Sequence, residues 1–247
     1  MNDVIVIENL TFSYNKTVVL EDINLNIKNS DFLAIIGPNG GGKSTLFKLM
    51  LGILPLKQGS IKREIDIEDI GYVPQNTNLN LDFPITALEV VLMGYKNRLS
   101  FLRYSKEQIK GAIKALEMVG MDEFQDTKIG SLSGGQRQRV FIARSLVEQP
   151  KLILLDEPTA SIDVKGQSEI YELLKKLNQN MAIVVISHDL SVTLGYATKV
   201  AYINKKLVYH NLEQINKKIN ISKNEHLCEV ELLLALSENR SCGCSHV

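Results

Sequence analysis

Nine consecutive residues near the start of the chain fit the phosphate-loop pattern GxxxxGK[ST]. They are Gly37, Pro38, Asn39, Gly40, Gly41, Gly42, Lys43, Ser44 and Thr45. The glycines let several backbone N–H groups point at one anion, and the positive end of a following helix attracts that anion further. Lys43 can then reach the β- and γ-phosphates, and the Ser44 hydroxyl can complete a Mg²⁺ shell. This pattern predicts that the chain binds a nucleoside triphosphate with Mg²⁺.

The residues on either side of the loop favour binding over a chance glycine-rich turn. The apolar run Phe32 to Ile36 predicts a buried strand leading into the loop, and Leu46 to Leu51 predicts a helix leading out of it. A strand, a glycine-rich turn and a helix in this order form the setting in which the motif holds phosphate.

Two acids follow a second apolar run. Lys151 to Leu155 predicts a strand, and Asp156 and Glu157 come directly after it. Carboxylates at the carboxyl end of such a strand lie at the mouth of the sheet, where α/β folds bind ligands. We therefore expect Asp156 to hold the Mg²⁺, usually through water. We expect Glu157 to orient or deprotonate the water that attacks the γ-phosphate.

Three further residues near strand ends each have two interpretations. His188 follows the predicted strand Ala182 to Ser187, where it is either a structural hydrogen-bonding residue or a contact to the γ-phosphate. Gln75 follows the predicted strand Ile70 to Val73, and by itself it is an ordinary polar loop residue. Tyr14 is equally consistent with an aromatic packed on the core and with a flat surface for a purine ring.

A second helix start suited to an anion lies much later in the chain. Ser133 and Gln136 form an S-x-x-[EQ] capping pattern around Gly134 and Gly135. The Ser133 hydroxyl, the Gly135 backbone and the helix dipole together favour an anion. Because one phosphate loop already holds one triphosphate, this second site suggests that it serves the nucleotide of another copy of the chain.

The composition limits the class of protein. The chain has 247 residues and equal numbers of acidic and basic side chains, so its formal net charge is zero. This balance gives no electrostatic footprint for nucleic acid or for an anionic lipid surface. No apolar run approaches the roughly 20 residues that a membrane-spanning helix needs, and the first ten residues do not resemble a signal peptide. All three cysteines fall in the last twenty residues, which favours a reducing cytoplasm.

The periodicity of the remaining chain places these motifs in an α/β fold. Between residues 84 and 150 the pattern is helical, with capped helices expected at Thr86 to Tyr95 and at Ser105 to Val119. The other expected elements are strands at Val4 to Leu10, Val18 to Ile27, Ala201 to Ile203 and Leu207 to Tyr209, and a helix at Val164 to Asn178.

Taken together, the motifs resemble the ATP-binding-cassette (ABC) ATPases over almost the whole chain. LSGGQ at Leu132 to Gln136 is the most specific match, because ordinary phosphate-loop ATPases lack it. The remaining matches are GPNGGGKST, Gln75, LILLDEP at Leu152 to Pro158, Ser161-Ile162-Asp163 and His188.

The resemblance implies a domain organisation. We expect a phosphate-loop (RecA-like) mixed sheet core with an N-terminal antiparallel β part and an inserted helical subdomain at about residues 84–150. The ATPase domain would span residues 1–210. The remaining residues, 211–247, would form a tail with a short amphipathic helix at Leu227 to Leu236.

The resemblance also implies a role for each site residue. Tyr14 corresponds to the adenine-stacking aromatic, Gln75 to the glutamine that senses Mg²⁺ and the membrane partner, and His188 to the γ-phosphate switch. Asp163 corresponds to the acid of the loop that crosses the dimer interface, although its SID sequence departs from the commoner SALD type. Glu157 would be the general base. Each ATP would lie between Lys43, Ser44 and Asp156 of one copy and Ser133, Gly134, Gly135 and Gln136 of the other.

A narrower resemblance concerns the transported substrate. Asp82-Phe83-Pro84, the run from Thr86 to Gly94, and Lys128-Ile129-Gly130 are similar to importers of zinc, manganese or iron ions. This implies a peripheral protein on the cytoplasmic face of the cell membrane, bound to multi-helix permease subunits and served indirectly by a soluble metal-binding protein. Ferric-siderophore and cobalamin importers share parts of this region. A non-transport ABC ATPase of the iron–sulfur assembly type is also consistent with the chain length.

The end of the chain carries a separate group of soft ligands. Cys242, Cys244 and His246 lie within five residues, with His226 and Cys228 upstream. Thiolate and imidazole suit zinc or copper(I), although a closed structural zinc site usually has four ligands at wider spacing. A frayed terminus with spare thiols is the alternative. Both interpretations stay open.

Overall fold

The computed structural model describes residues 2–75, 83–96, 104–160, 162–188, 193 and 195–211, which form two β-sheets and five α-helices. The strands are β1 (Asp3–Tyr14), β2 (Thr17–Lys28), β3 (Phe32–Ile36), β4 (Gln58–Arg63), β5 (Ile70–Val73), β6 (Leu152–Asp156), β7 (Ala182–Ile186), β8 (Lys199–Asn204) and β9 (Lys206–Asn211). The helices are α1 (Lys43–Met50), α2 (Ala87–Leu92), α3 (Lys106–Met118), α4 (Gly134–Leu146) and α5 (Val164–Leu177). Short 3-10 helices lie at Ile67–Asp69, Asp122–Phe124 and Ile129–Ser131.

The two sheets have different topologies. The first is antiparallel, with the order β2-β1-β4. The second has the order β5-β6-β7-β3-β8-β9, and its neighbouring strands are parallel except that β9 runs antiparallel to β8. The predicted fold class, an α/β mixed sheet with an N-terminal antiparallel part, is confirmed. Because parallel strands end at one edge, the carboxyl ends of β3, β5, β6 and β7 lie together there.

The mixed sheet is covered on both faces. Every residue of β3, β6 and β7 is buried, which explains why these strands are continuous apolar runs in the sequence. Side chains alternate between the faces. Phe32, Ile153 and Ile183 belong to the core that includes α2 to α5. The neighbouring residues along each strand belong to the core formed with α1 and the antiparallel sheet.

Most predicted elements are present, with one omission and one shorter helix. The strand β4 was not predicted, because its residues are polar and largely exposed and show no apolar alternation. The helix expected at Thr86 to Tyr95 is limited to Ala87–Leu92, with Thr86 as its N-cap. Three predictions concern residues outside the described part of the chain: Asp82, Ser161 and the tail from residue 212 onward, which includes the expected helix at Leu227 to Leu236 and the cysteines. Among the described helices, none has the length and apolar character to cross a membrane.

Candidate active site

The phosphate loop joins the end of β3 to the start of α1. Its backbone needs glycine at Gly37, Gly40 and Gly42, whose φ angles are 142°, 77° and 107°. A Cβ atom at Gly37 would lie 2.1 Å from the Ile203 carbonyl oxygen, so the loop also packs closely against β8. Sequence and packing thus hold this turn in one conformation.

The start of α1 differs from the starts of the other four described α-helices. Its N-cap is Gly42, which is left-handed and makes no side-chain capping bond within the described structure. The N-caps of the other four are Thr86, Ser105, Ser133 and Asp163, and each of those side chains accepts a hydrogen bond from a backbone N–H. The first N–H groups of α1 are therefore available for a ligand, and a phosphate is the ligand that a helix N-terminus favours.

Lys43 is already folded into this loop. Its Nζ donates to the Gly37 and Pro38 carbonyl oxygens, both at 2.9 Å, and the residue is only 6% exposed. Burial lowers the pKa of Lys43 below its ordinary value, and the nearby carboxylates of Glu157 and Asp156 act in the opposite direction. The loop thus holds a desolvated ammonium group that an anion would stabilise.

Asp156 ends β6 and is 4% exposed. Its Oδ1 has no hydrogen-bond partner within the described structure, and the Ser44 side chain lies beside its carboxylate. Burial raises the pKa of the Asp156 carboxyl, while the nearby Ser44 side chain opposes this effect. A buried oxygen without a partner is costly, and a carboxylate beside a hydroxyl matches the oxygen ligands that Mg²⁺ prefers. These two residues therefore fit the predicted Mg²⁺ site.

Glu157, Gln75 and His188 form one hydrogen-bonded group. The Gln75 Nε2 donates to Glu157 Oε2 at 2.6 Å, and the His188 Nε2 lies 2.5 Å from Glu157 Oε1. Glu157 has a left-handed backbone with φ of 49°, and its N–H donates to the Ile186 carbonyl oxygen at 3.0 Å. Strained backbone of this kind is concentrated at functional sites. Gln75, His188 and Glu157, which the sequence placed after three different strands, thus meet at the carboxyl ends of those strands.

A cleft of about 350 Å³ contains Gln75 and Glu157 together with the phosphate loop. It is lined by Asn39, Gly40, Gly42, Lys43, Ser44, Thr45, Gln75 and Glu157. Tyr14 is not part of this lining. It lies at the end of β1, is 43% exposed, and contacts the Phe12 ring edge-on at 5.0 Å between centroids. Its exposed ring leaves the adenine-stacking role a prediction.

A second cleft contains the other predicted helix start. Ser133 Oγ accepts from the Gln136 N–H at 3.2 Å, and Gln136 Oε1 accepts from the Ser133 N–H at 2.9 Å, so the predicted capping box is present. Asp163 caps α5 by accepting from the Gly166 N–H at 3.1 Å. The cleft measures about 610 Å³ and contains Ser133, Gly134, Gly135, Gln136 and Asp163. It shares no lining residue with the phosphate-loop cleft.

Sequence reasoning did not single out a buried hydroxyl group beside His188. Tyr171 is fully buried on α5, and its hydroxyl contacts those of Ser187 and Thr193. A tyrosine on the apolar side of an amphipathic helix looks like an ordinary core residue. Only the observation that Ser187 directly precedes His188 hints at a further role.

Comparison with known proteins gives the same family from a family model and from individual relatives. Residues 20–160 match the family model of the ABC transporter. The zinc uptake system ATP-binding protein ZurA of Listeria innocua is 41% identical over 220 residues, covering 85% of this chain and 86% of that protein. The manganese transport system ATP-binding protein MntB of the same organism is 41% identical over 211 residues, covering 83% of this chain and 88% of that protein.

Solved structures with a similar fold include transporters and isolated cassettes. A metal-chelate type ABC transporter in an inward-facing conformation aligns with a TM-score of 0.81 and 32% identity, covering 96% of this chain and 89% of that chain. The dimeric structure of a bacterial ABC transporter cassette aligns with a TM-score of 0.67 and 32% identity, covering 84% of this chain and 98% of that chain.

Proposed function

Because the chain belongs to the ABC transporter ATP-binding family, we propose that it hydrolyses ATP to power a membrane permease that imports metal ions, with zinc or manganese as cargo. The observation that carries this proposal is the meeting of four elements at one sheet edge. They are the open start of α1, the buried Lys43, the unsatisfied Asp156 and the Glu157 group. Each element supplies one requirement of phosphoryl transfer from a nucleotide to water.

ATP binding follows from the contacts in the phosphate loop. The triphosphate accepts hydrogen bonds from the first N–H groups of α1, and Lys43 Nζ exchanges its carbonyl partners for phosphate oxygens. Ser44, Asp156 and Gln75 would hold the Mg²⁺ that accompanies ATP. When bound, this ion neutralises charge on the β- and γ-phosphate oxygens. Tyr14 stacks the adenine ring with its exposed face.

The Glu157 group performs the proton transfer. Glu157, which lines the phosphate-loop cleft, accepts a proton from the attacking water. His188 contacts the γ-phosphate and the water. We expect Gln75 and His188, which both contact Glu157, to exchange that contact for the nucleotide. Positioning and charge neutralisation account for most of the rate enhancement in such reactions.

A second copy of the chain completes each site. The cleft with Ser133, Gly134, Gly135, Gln136 and Asp163 is separate from the phosphate-loop cleft. We infer that the two clefts face one nucleotide from two different copies of the chain. A two-fold dimer places the second cleft over the partner's ATP. The similarity to a dimeric bacterial cassette supports this arrangement.

A groove near Gln75 is the surface that we assign to the permease. It measures about 490 Å³ and contains Tyr72 of β5, Met93 and Gly94 after α2, and Arg144 of α4. Three of its apolar side chains are well exposed, Met93 at 47%, Ile53 at 62% and Ile67 at 46%, and charged side chains such as Glu68 and Lys96 also line the groove. β5 leads directly to Gln75, so a permease segment in the groove acts on the residue that contacts Glu157. We therefore propose that the chain lies on the cytoplasmic face of the membrane. A soluble metal-binding protein would act on the other side of the permease.

The metal cargo is inferred from the relatives. The zinc and manganese systems match this chain equally well, at 41% identity. The similarity to a metal-chelate type transporter keeps a ferric-siderophore or cobalamin-type importer as the alternative. An iron–sulfur assembly ATPase is the alternative outside transport.

One variant tests both the hydrolysis and the transport. The purified Glu157→Gln protein should bind ATP without measurable turnover and elute as a dimer in gel filtration with ATP. The same variant, replacing the wild-type copy in cells, should lose uptake of radioactive zinc or manganese. A Lys43→Ala variant is the control, because it should lose uptake but form no ATP-dependent dimer.

The two readouts separate the two halves of the proposal. A Glu157→Gln protein that turns over ATP normally as a monomer would refute the catalytic role and the dimer together. A normal dimer with unchanged uptake of both metals would leave the ATPase in place and reject metal-ion import in favour of an alternative cargo or process.

A further inference from the structure

Three buried hydroxyl groups lie close together, and one of them belongs to Ser187, the residue before His188. The Tyr171 hydroxyl donates to Ser187 Oγ at 3.1 Å and lies 2.7 Å from Thr193 Oγ1. Thr193 Oγ1 in turn donates to Ser187 Oγ at 2.7 Å. The exposed fractions are 0% for Tyr171 and Thr193 and 4% for Ser187. We call these three residues the hydroxyl triad.

The hydroxyl triad joins the two ends of the segment that carries His188. Ser187 directly precedes His188, and its N–H donates to the Ile35 carbonyl oxygen at 3.1 Å, next to the phosphate loop. Thr193 follows His188 by five residues, and its carbonyl oxygen accepts from the Ala197 N–H at 3.0 Å. Tyr171 lies on a different element, α5, so it anchors both ends to the core.

The same region also holds the partner of His188. The Glu157 N–H is bonded to the carbonyl oxygen of Ile186, the residue before Ser187. The backbones of Glu157 and of the His188 segment are thus linked at the end of β7. A small displacement of Ser187 would move His188 relative to Glu157, whose Oε1 lies 2.5 Å from His188 Nε2.

We propose that Tyr171 is a positioning residue for hydrolysis, and that its hydroxyl, with those of Ser187 and Thr193, fixes Ser187 and thereby holds the adjacent His188 in register with Glu157. This inference rests on the proposed ATP hydrolysis. A phenylalanine would fill the same space, so the apolar core by itself does not require the hydroxyl. A fully connected buried polar network fixes the geometry of its members more tightly than apolar packing does. Displacements of about 1 Å can lower a catalysed rate a hundredfold.

The test compares Tyr171→Phe with Tyr196→Phe in the full-length protein. The two rings are stacked, with centroids 5.6 Å apart, but the Tyr196 hydroxyl is not part of the hydroxyl triad. Tyr171→Phe should lower kcat about tenfold and leave the KM for ATP within about twofold, whereas Tyr196→Phe should retain wild-type kcat. Thr193→Val serves as a second variant with the same expected effect, should Tyr171→Phe not fold.

A double-mutant cycle identifies the route of the effect. If Tyr171 acts through His188, then Tyr171→Phe should change the residual rate of a His188→Ala protein by less than about twofold. An equal tenfold loss in that background, or wild-type kcat in Tyr171→Phe and Thr193→Val, would overturn the proposal.

A spectroscopic readout separates this proposal from the proposed function. In nucleotide-free protein with labelled histidine, Tyr171→Phe should shift the NMR signal of the His188 ring, which is identified by its loss in His188→Ala. Tyr196→Phe should leave it in place. An unmoved His188 signal in Tyr171→Phe contradicts the positioning role even if the protein is an active ATPase. A shifted signal in a protein without ATPase activity contradicts the proposed function alone.

Discussion

Two buried aspartates lie at opposite ends of the parallel strands of the mixed sheet, and their hydrogen bonding differs. We call the amino and carboxyl ends of these strands the two edges of the sheet. Asp31, just before β3, and Asp156, at the end of β6, are each 4% exposed. Asp31 Oδ2 accepts from the Lys28 N–H at 2.8 Å and from Lys199 Nζ at 2.7 Å. Asp156 Oδ1 has no hydrogen-bond partner in the described structure. Burial alone therefore does not mark a functional carboxylate, whereas an unfilled hydrogen-bonding position does.

The basic partners at the two edges show the same contrast. Burial lowers the pKa of Lys43, and the carboxylates nearby do not fully offset it. Burial would also lower the pKa of Lys199, but hydrogen bonds to Asp31 and Tyr209 outweigh it and hold this pKa above its ordinary value. The edge at Asp31 thus satisfies its charges within the chain. The edge at Asp156 leaves desolvated charges for a ligand to satisfy.

The largest expected effect comes from a substitution at Asp156, the aspartate to which we assign a function. Asp156→Asn keeps the shape of the side chain but removes the negative charge that would hold Mg²⁺. We expect ATP hydrolysis to fall about a thousandfold. The nucleotide-free protein should gain about 1 kcal/mol in the free energy of unfolding, because an uncompensated buried charge is removed. Steady-state hydrolysis and urea unfolding without nucleotide measure the two effects.

The pH dependence of this gain follows from the raised pKa of the Asp156 carboxyl. A raised carboxyl pKa favours the folded state at low pH, below the unfolded value, and this contribution is lost as pH rises through the folded pKa. The Asn variant should therefore exceed the wild type in stability at neutral pH, and the difference should disappear in acid. A variant that is less stable than wild type at neutral pH would contradict the assignment of Asp156 as an unsatisfied charge.

The second prediction concerns Asp31, the aspartate whose hydrogen bonds are satisfied within the chain. Asp31→Asn leaves Lys199 charged, only 15% exposed in its side chain and without its carboxylate. We expect a loss of about 3 kcal/mol in the free energy of unfolding, or roughly 6–12 °C in Tm. Hydrolysis per folded molecule should stay within about twofold of wild type, because Asp31 lies at the opposite edge. Thermal unfolding and hydrolysis at a temperature below both transitions test this.

Two controls accompany Asp31→Asn. The double variant Asp31→Leu/Lys199→Met should recover much of the lost stability, since an apolar pair carries no desolvation cost. Asp69→Asn removes the partner of Lys151, whose side chain is 60% exposed, and should leave Tm unchanged within error. The wild-type advantage over Asp31→Asn should be complete below about pH 10.4 and should be lost as pH rises through the raised pKa of Lys199. Retention of that advantage above this range would argue against the Lys199 charge as its source.

These two aspartates also show how far the sequence alone leads. Asp156 was predicted because a run of apolar residues, two acids and a phosphate loop form local patterns. Asp31 was not singled out, because its partner Lys199 lies 168 residues away and neither residue belongs to a motif. The contact between Gln75 and Glu157 spans 82 residues in the same way. Local patterns predicted which residues form the candidate site, and only the fold identified which of them touch.

The antiparallel sheet and the hydroxyl triad extend this lesson. β1 and β2 were predicted from the sequence, but β4 is stabilised by backbone pairing with β1 and carries no fully buried residue. Tyr171 could not be distinguished from a core residue, because the partners of its hydroxyl come from the end of β7 and from Thr193. Polar contacts between distant elements have no local signature in a single sequence.

The smallest predicted effect concerns a helix start that is satisfied within its own chain and is nevertheless assigned a function. Ser133–Gln136 at α4 and Ser105–Gln108 at α3 are capping boxes with the same bond lengths, 2.9 and 3.2 Å, on helices of 13 residues each. The Ser105→Ala and Ser133→Ala substitutions should each cost about 1 kcal/mol in the free energy of unfolding. Only Ser133→Ala should also lower ATP hydrolysis, by about tenfold, because its hydroxyl can accept from Gln136 and still donate to the partner's nucleotide.

This matched pair decides how general the contrast between the two aspartates is. Equal losses of stability with unequal losses of hydrolysis mean that a satisfied acceptor can still act through its unused donor. Function is then marked by the remaining hydrogen-bonding capacity rather than by a missing bond. Equal hydrolysis in the two variants would instead place Ser133 with Asp31 among purely structural groups. The second cleft would then have no role in the partner's ATP site, and the main chemical support for the proposed dimer would be removed.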